Sequence, residues 1–252
     1  MKVDAVVLAG GDGAVIDPTV RVKGLVPVAG KPMIEWVVEA LKAAETIGRI
    51  AVVVPTGEGL GAWTRKVDFL VVSDGSFIEN AIAGLSAFTP DGLVLALTGD
   101  IPALTPGAID DFVEQSLSKG AHFSYPLVRA GDMEAQFPGS HRTYVKVSGE
   151  KVTGGNMMVL QPDVVMGNST LGQRLFDQRK SPIGMARVIG AQFIFRYVTG
   201  RLQVADVERK MEELLGVRCA AIYTSQASIG ADVDKPIDVV VAQRVLYQRH
   251  AG

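Results

Sequence analysis

The sequence predicts an α/β protein built on a Rossmann-like, doubly wound and mostly parallel sheet. Three observations predict it. Residues 3–8, 50–54, 69–72 and 93–97 are apolar runs without polar alternation, the pattern of parallel strands covered on both faces. Segments of helical period separate them. A glycine-rich turn, Ala9-Gly10-Gly11-Asp12-Gly13, follows the first run at once.

The elements follow in order. Residues 33–44 carry Ile34, Val37, Val38 and Leu41 at helical spacing, residues 77–88 repeat the pattern, and residues 106–117 open with a proline suited to a first turn. Strand–helix–strand repetition requires right-handed crossovers. Residues 123–128 read as a strand, residues 144–152 as a hairpin turning at Ser148-Gly149, and residues 157–160 as another strand. Residues 171–215 become helical, with breaks at Ser181-Pro182 and Thr199-Gly200, and a last helix covers 236–248. Within this region the apolar stretch 190–198 is expected to pack in the core, with a lid over a hydrophobic ligand as the alternative and membrane contact ranked last. The basic side chains, Arg179 and Lys180 among them, are expected to form solvated helix faces. There is no internal repeat and no long linker. The expectation is one domain over 1–252, with a first half (1–130), a helical insertion region (131–225) and a closing segment (226–252).

Composition narrows the function. A hydrophobic content of 48% with 21% charged residues is that of an ordinary globular chain. The net charge of -2 argues against a general nucleic-acid binder. One cysteine gives neither a disulfide framework nor a cysteine metal cluster, in keeping with a reducing compartment. No apolar run approaches the ~20 residues of a membrane span. The reading is a cytoplasmic protein without stable membrane insertion, for which a homodimer is compatible.

The first forty residues carry the chemistry. A strand, a glycine loop, Lys23 and then a helix form an arrangement suited to polyphosphate. Glycine lets backbone N–H groups approach anionic oxygens, and the lysine adds a compact charge. Asp100, in Thr98-Gly99-Asp100-Ile101-Pro102, emerges at the carboxyl end of a buried strand, where open α/β sheets bind ligands. Of Asp232 and Asp234, only one is expected to face the site. Asp234, just before Lys235-Pro236, is read as the N-cap of the last helix, leaving Asp232 for the site.

The segments Leu8-Ala9-Gly10-Gly11-Asp12-Gly13 and Lys23-Gly24-Leu25-Val26-Pro27-Val28-Ala29-Gly30-Lys31-Pro32-Met33 resemble the signature of the GT-A-like nucleotidyltransferases, nearest the MobA-like, molybdenum-cofactor guanylyl- and cytidylyltransferase branch. The resemblance implies an NTP and a phosphorylated small-molecule acceptor as partners, with Mg2+ as cofactor. It implies Lys23 and Asp100 as catalytic, and Asp100 with Asp232 as metal ligands. It assigns nucleotide contacts to Leu8, Ala9, Gly10, Gly11, Asp12, Gly13 and Lys23, and to Gly75, Ser76 and Asn80 after the third strand. Arg142, Gly155 and Asn156 become the acceptor contacts. Where the family carries an arginine after the glycine loop this chain has Val15, and Arg21 is the nearest substitute. The alternatives are a GT-A glycosyltransferase and a nucleotide-binding regulatory domain with weak or no catalysis. A Rossmann dehydrogenase is disfavoured by the missing third glycine of its fingerprint.

Overall fold

The computed structural model describes residues 1–88, 92–178 and 182–250. Its first half alternates strands and helices: β1 (Val3–Leu8), a ribbon of β2 (Pro27–Val28) and β3 (Lys31–Pro32), α1 (Met33–Ala43), β4 (Ile47–Val54), β5 (Phe69–Val72), α2 (Phe77–Leu85), β6 (Val94–Thr98), α3 (Pro106–Lys119) and β7 (Phe123–Arg129). The second half comprises α4 (Ala130–Gln136), β8 (Val145–Val147), β9 (Glu150–Gly154), β10 (Met157–Leu160), α5 (Pro162–Gly167), α6 (Ser169–Gln178), α7 (Pro182–Ile189), α8 (Ala191–Val198), α9 (Val204–Leu215), β11 (Cys219–Thr224) and α10 (Pro236–His250).

The main sheet runs β5-β4-β1-β6-β10-β7-β9-β8. Strands β5, β4, β1 and β6 are mutually parallel, so their carboxyl ends share one edge. Strand β10 enters antiparallel between β6 and β7. Strand β11 runs parallel to β7 along its length, while β10 and β9 pair with its beginning and end. The predicted mostly parallel, doubly wound sheet is therefore present.

Burial on both faces explains the unbroken apolar runs. On β1, Val3, Ala5 and Val7 pack with Ile34, Val38, Ile109 and Phe112 of α1 and α3. Val6 faces the other way, against Val53, Leu85 and Phe88. Each fully buried valine, leucine, isoleucine or phenylalanine among them contributes about 1.5–3 kcal/mol. Helix α3 starts where Thr105 accepts from the Ala108 N–H at 3.2 Å and Pro106 fixes the first turn. It stops at Gly120, whose φ of 58° is left-handed. The hairpin turns at Ser148 (φ 50°) and Gly149 (φ 84°), as its sequence predicts.

Three expectations are corrected. Strand β5 is an edge strand, not one covered on both faces: Leu70 and Val72 are exposed. Strand β11 was not anticipated, because three of its first four residues give little β signal before Tyr223 and Thr224. The stretch 190–198 does not fill the core. Gly190 (φ 102°) leads into α8, which buries none of its residues; Phe195 is 63% and Val198 72% exposed, and Phe193 packs on Val147, Val152 and Leu202. The break before Pro182 and the basic pair Arg179 and Lys180 lie outside the described residues. Cys219 is buried, and burial next to Glu212 and Glu208 pushes its thiol up to about 11. Among the described residues, no helix is long and apolar enough to cross a membrane.

Candidate active site

A cleft of about 550 Å³ opens at the carboxyl ends of β1, β4 and β6. Its floor is the glycine loop. Ala9 donates to Val53 O at 2.9 Å, and Gly99 donates to Leu8 O at 2.9 Å, which fixes the loop between β4 and β6. Gly11 turns at φ 93° and its carbonyl accepts from the Lys23 N–H at 2.9 Å. Gly13 passes so close to the returning chain that a Cβ there would lie 2.5 Å from Val20 O. The loop and the Lys23 segment are thus one folded unit, with Asp12 bridging to Val22.

The electrostatic centre is Lys23. Its ammonium lies 2.5 Å from Asp100 Oδ2 and 2.5 Å from Asp234 Oδ1. Burial pulls the lysine pKa down, but the two carboxylates outweigh it and raise the value above the usual lysine range. Thr98 Oγ1 donates to the second oxygen of Asp100 at 2.5 Å. Behind this centre, Asp232 Oδ1 accepts from Arg142 Nη2 and from Asn156 Nδ2, the latter at 3.0 Å. Burial lowers the pKa of Arg142, opposed by the nearby charges of Asp234, Asp238 and Asp100.

Asp100, Asp232 and Asp234 each offer a carboxylate oxygen within 4.8 Å of the others. Hard oxygen donors of this kind suit Mg2+. The ammonium already shared by two of them shows that the cluster accommodates a cation. The residues present therefore fit the ion that the resemblance implies.

The convergence corrects the expectation that only one of the two aspartates would face the site. Residues two apart along an extended chain share a face, and the intervening residue takes the other. Val233 does so: it is buried with Val26, Val28, Met33 and Leu246, and its N–H donates to Asp100 O at 2.9 Å. Nor is Asp234 the N-cap. Helix α10 begins at Pro236, and it is Asp238 whose carboxylate accepts from the Asp234 and Lys235 N–H groups. The two-residue spacing of Asp232 and Asp234 was the signal that could have found the third carboxylate.

The other candidates divide. Leu8, Gly10, Gly11, Lys23, Gly75, Asn80, Asp100 and Asn156 line the cleft. Ala9 is buried beneath it, where Gly24 and Gly99 leave room for its methyl. Asp12 Oδ1 accepts from the Ala14 N–H, and Gly13 serves the close approach just described. The Ser76 side chain caps α2 in a reciprocal box with Glu79, and Asn80 exchanges two hydrogen bonds with Gly75. Gly155 is required by packing, since a Cβ there would lie 2.5 Å from Ile229 Cγ2. Val15 is 65% exposed, whereas Arg21 lines a larger, open cavity of about 930 Å³ that shares Gly11 and Pro55 with the cleft. Lys31 pairs with Glu39 and lies over the Trp36 ring, 4.4 Å from its centroid. Sequence reading missed Thr98, Asp234 and the rings of Phe77 and Phe176.

A hypothetical transferase of Thermus thermophilus has this architecture, with a TM-score of 0.82 and 35% identity over 95% of this chain and 100% of that one. A CMP:2-keto-3-deoxy-manno-octonic acid synthetase complexed with CTP shares the fold at a TM-score of 0.63 and 14% identity, over 99% of this chain and all of that one. By sequence, the bifunctional protein GlmU of Geobacter metallireducens is 32% identical over 124 residues, 46% of this chain and 25% of GlmU. The 2-C-methyl-D-erythritol 4-phosphate cytidylyltransferase of Pelotomaculum thermopropionicum is 32% identical over 131 residues, 48% of this chain and 54% of that enzyme. The matches thus span about a quarter to a half of these curated relatives. The model of the MobA-like NTP transferase domain matches residues 5–187. With most of its length inside that match, the chain belongs to the MobA-like NTP transferase domain family.

Proposed function

We propose that the protein is a nucleotidyltransferase that moves a nucleoside monophosphate from an NTP to a phosphorylated small-molecule acceptor. The observation that carries this reading is the meeting of Lys23, Asp100, Asp232 and Asp234 beside the glycine loop. The cytidylyltransferase name of one of the relatives supports it.

In this reading the triphosphate lies along the loop, with backbone N–H groups and Lys23 facing its oxygens. Arg21, at the edge of the adjoining cavity, supplies the second positive charge that Val15 lacks. An oxygen of the acceptor phosphate attacks the α-phosphorus. The bond from that phosphorus to the bridging oxygen breaks, and pyrophosphate leaves with the electron pair. The nucleophile is already an anion, so no general base is needed. Asp100, Asp232 and Asp234 would hold Mg2+, which supplies Lewis-acid neutralisation of phosphate charge when bound. Lys23 stabilises charge developing on the leaving group, and positioning supplies most of the remainder.

The test is a thermal-shift screen of ATP, GTP, CTP and UTP with and without Mg2+, followed by pyrophosphate detection. A ligand at ~100 times its Kd stabilises the native state by about 2.7 kcal/mol. One triphosphate that stabilises only with Mg2+ supports the reading. Stabilisation without pyrophosphate release toward any phosphate acceptor would favour the regulatory alternative.

A further inference from the structure

Behind the cleft lies a second chamber of about 360 Å³, between the sheet and the layer formed by α2, α5 and α6. It adjoins the cleft: Leu8, Phe77, Thr98, Asn156 and Phe176 belong to the walls of both. Its interior is almost wholly apolar, with Val6, Ala81, Ala96, Met158 and Val165 among the walls. Helix α6, which roofs part of it, buries none of its residues fully. At the boundary the rings of Phe77 and Phe176 stack with centroids 4.4 Å apart and planes inclined by 3°.

Three polar side chains reach the chamber. Thr98 is engaged with Asp100, and Asn156 with Asp232 and Ile229 O. The third is Tyr125 of β7. Its phenol lies over Gly154, so closely that a Cβ there would be 2.3 Å from the hydroxyl. That hydroxyl makes no hydrogen bond to a described residue. Burial raises its pKa, opposed by the charge of Arg142. Tyr125 is half-buried, so its hydroxyl remains accessible to a group bound in the chamber. A largely apolar pocket with one convergent polar group is the usual form of a small-molecule site.

We infer that this chamber receives the body of the acceptor, and that the acceptor is a phosphorylated compound with an apolar body of about two fused rings. This rests on the nucleotidyl-transfer reading above. The phosphate would remain in the cleft beside Lys23 and Asp100, while the body passes Phe77 and Phe176 into the chamber. A polar atom on the body meets the Tyr125 hydroxyl. Size supports the assignment, since a dry cavity of about 150 Å³ takes a benzene. A polyhydroxylated sugar phosphate would leave its hydroxyls facing methyl and methylene groups there.

The probes are 2-naphthol for binding, and 2-naphthyl phosphate against glycerol 3-phosphate as acceptors, all with the full chain. Calorimetry should show saturable 1:1 binding of 2-naphthol. Tyr125→Phe should weaken it about five- to tenfold, and Ala81→Phe, which fills the chamber, should abolish it, with folding of each variant checked by circular dichroism. Tyr125→Phe keeps the test decisive if Ala81→Phe does not fold. No binding to the wild-type chain, or binding that neither variant changes, would overturn the inference. With the triphosphate that the thermal-shift screen identifies, 2-naphthyl phosphate should show a KM at least tenfold below that of glycerol 3-phosphate. Equal KM values would reject the apolar acceptor and leave nucleotidyl transfer standing. Binding of 2-naphthol without turnover of any triphosphate would reject the transfer reading and retain the apolar site.

Discussion

Lys23 and Asp234 are 211 residues apart in sequence, yet the lysine ammonium lies 2.5 Å from the Asp234 carboxylate while also holding Asp100. One side chain thus ties the glycine loop, the end of β6 and the segment before α10 into a single charged unit. Lys23→Met keeps the stem and removes the charge. Turnover should fall at least about a hundredfold. Mg2+ without nucleotide should bind more tightly than in the wild-type chain, because no ammonium competes for the carboxylates. Calorimetric titration with magnesium chloride reads this, and unchanged or weaker binding would show that the two cations do not share the site.

Asp100 lies in the turn after β6, outside the helices and the hydrophobic clusters. Asp100→Asn should therefore keep the circular dichroism spectrum and the cooperative melt, while pyrophosphate release falls by a factor of roughly a hundred or more. Retained release would remove Asp100 from the chemistry. Asp234→Asn, at a more exposed carboxylate (58% against 16%), should cost less, about tenfold.

Arg142 and Asp232 form an ion pair with side chains only 13% and 12% exposed. Arg142→Ala strands a buried carboxylate with Asn156 as its remaining donor, and should cost about 3 kcal/mol in urea denaturation. The double variant with Asp232→Asn should cost clearly less than the sum of the two single changes. Strict additivity would show that the pair is not coupled.

Asp110 clamps the turn between α1 and β4. It accepts from the Glu45 N–H at 3.1 Å, the Thr46 N–H at 2.9 Å and the Thr46 hydroxyl at 2.6 Å. Burial raises its pKa, but these donors outweigh it and bring the value below the usual 3.8. Its contribution is therefore fully present above pH 3.8 and lost as pH falls through the lower folded value. Asp110→Ala should destabilise the protein by about 2 kcal/mol at neutral pH. Its stability should also be less sensitive to acid below pH 3.8 than that of the wild-type chain, as urea midpoints measured across that range would reveal.

Local pattern made the nucleotide-facing half readable. The runs that became β1, β4 and β6 are apolar because both faces are covered, and the glycine loop declares its chemistry through residue type alone. Less was legible where distant segments decide. The partnership of Asp232 with Arg142, 90 residues away, leaves no local trace. The convergence of Asp232 and Asp234 was legible, because a period of two puts both carboxylates on one face, yet the opposite was expected. Helix α8 misled for a different reason: its apolar composition resembles a core element, while its position beyond the sheet leaves Phe195 and Val198 in solvent. Ser76, expected to contact the nucleotide, also caps α2, because the residue types that open helices also decorate binding loops.

The high pKa of Cys219, the chain's single cysteine, has a practical consequence. With the thiol buried and held near 11, almost none of it is thiolate at neutral pH, so maleimides and iodoacetamides find little to attack. The native chain is a nearly silent background for site-directed labelling. A cysteine introduced at exposed Phe195 could carry a fluorophore and report whether α8 moves when nucleotide or acceptor binds.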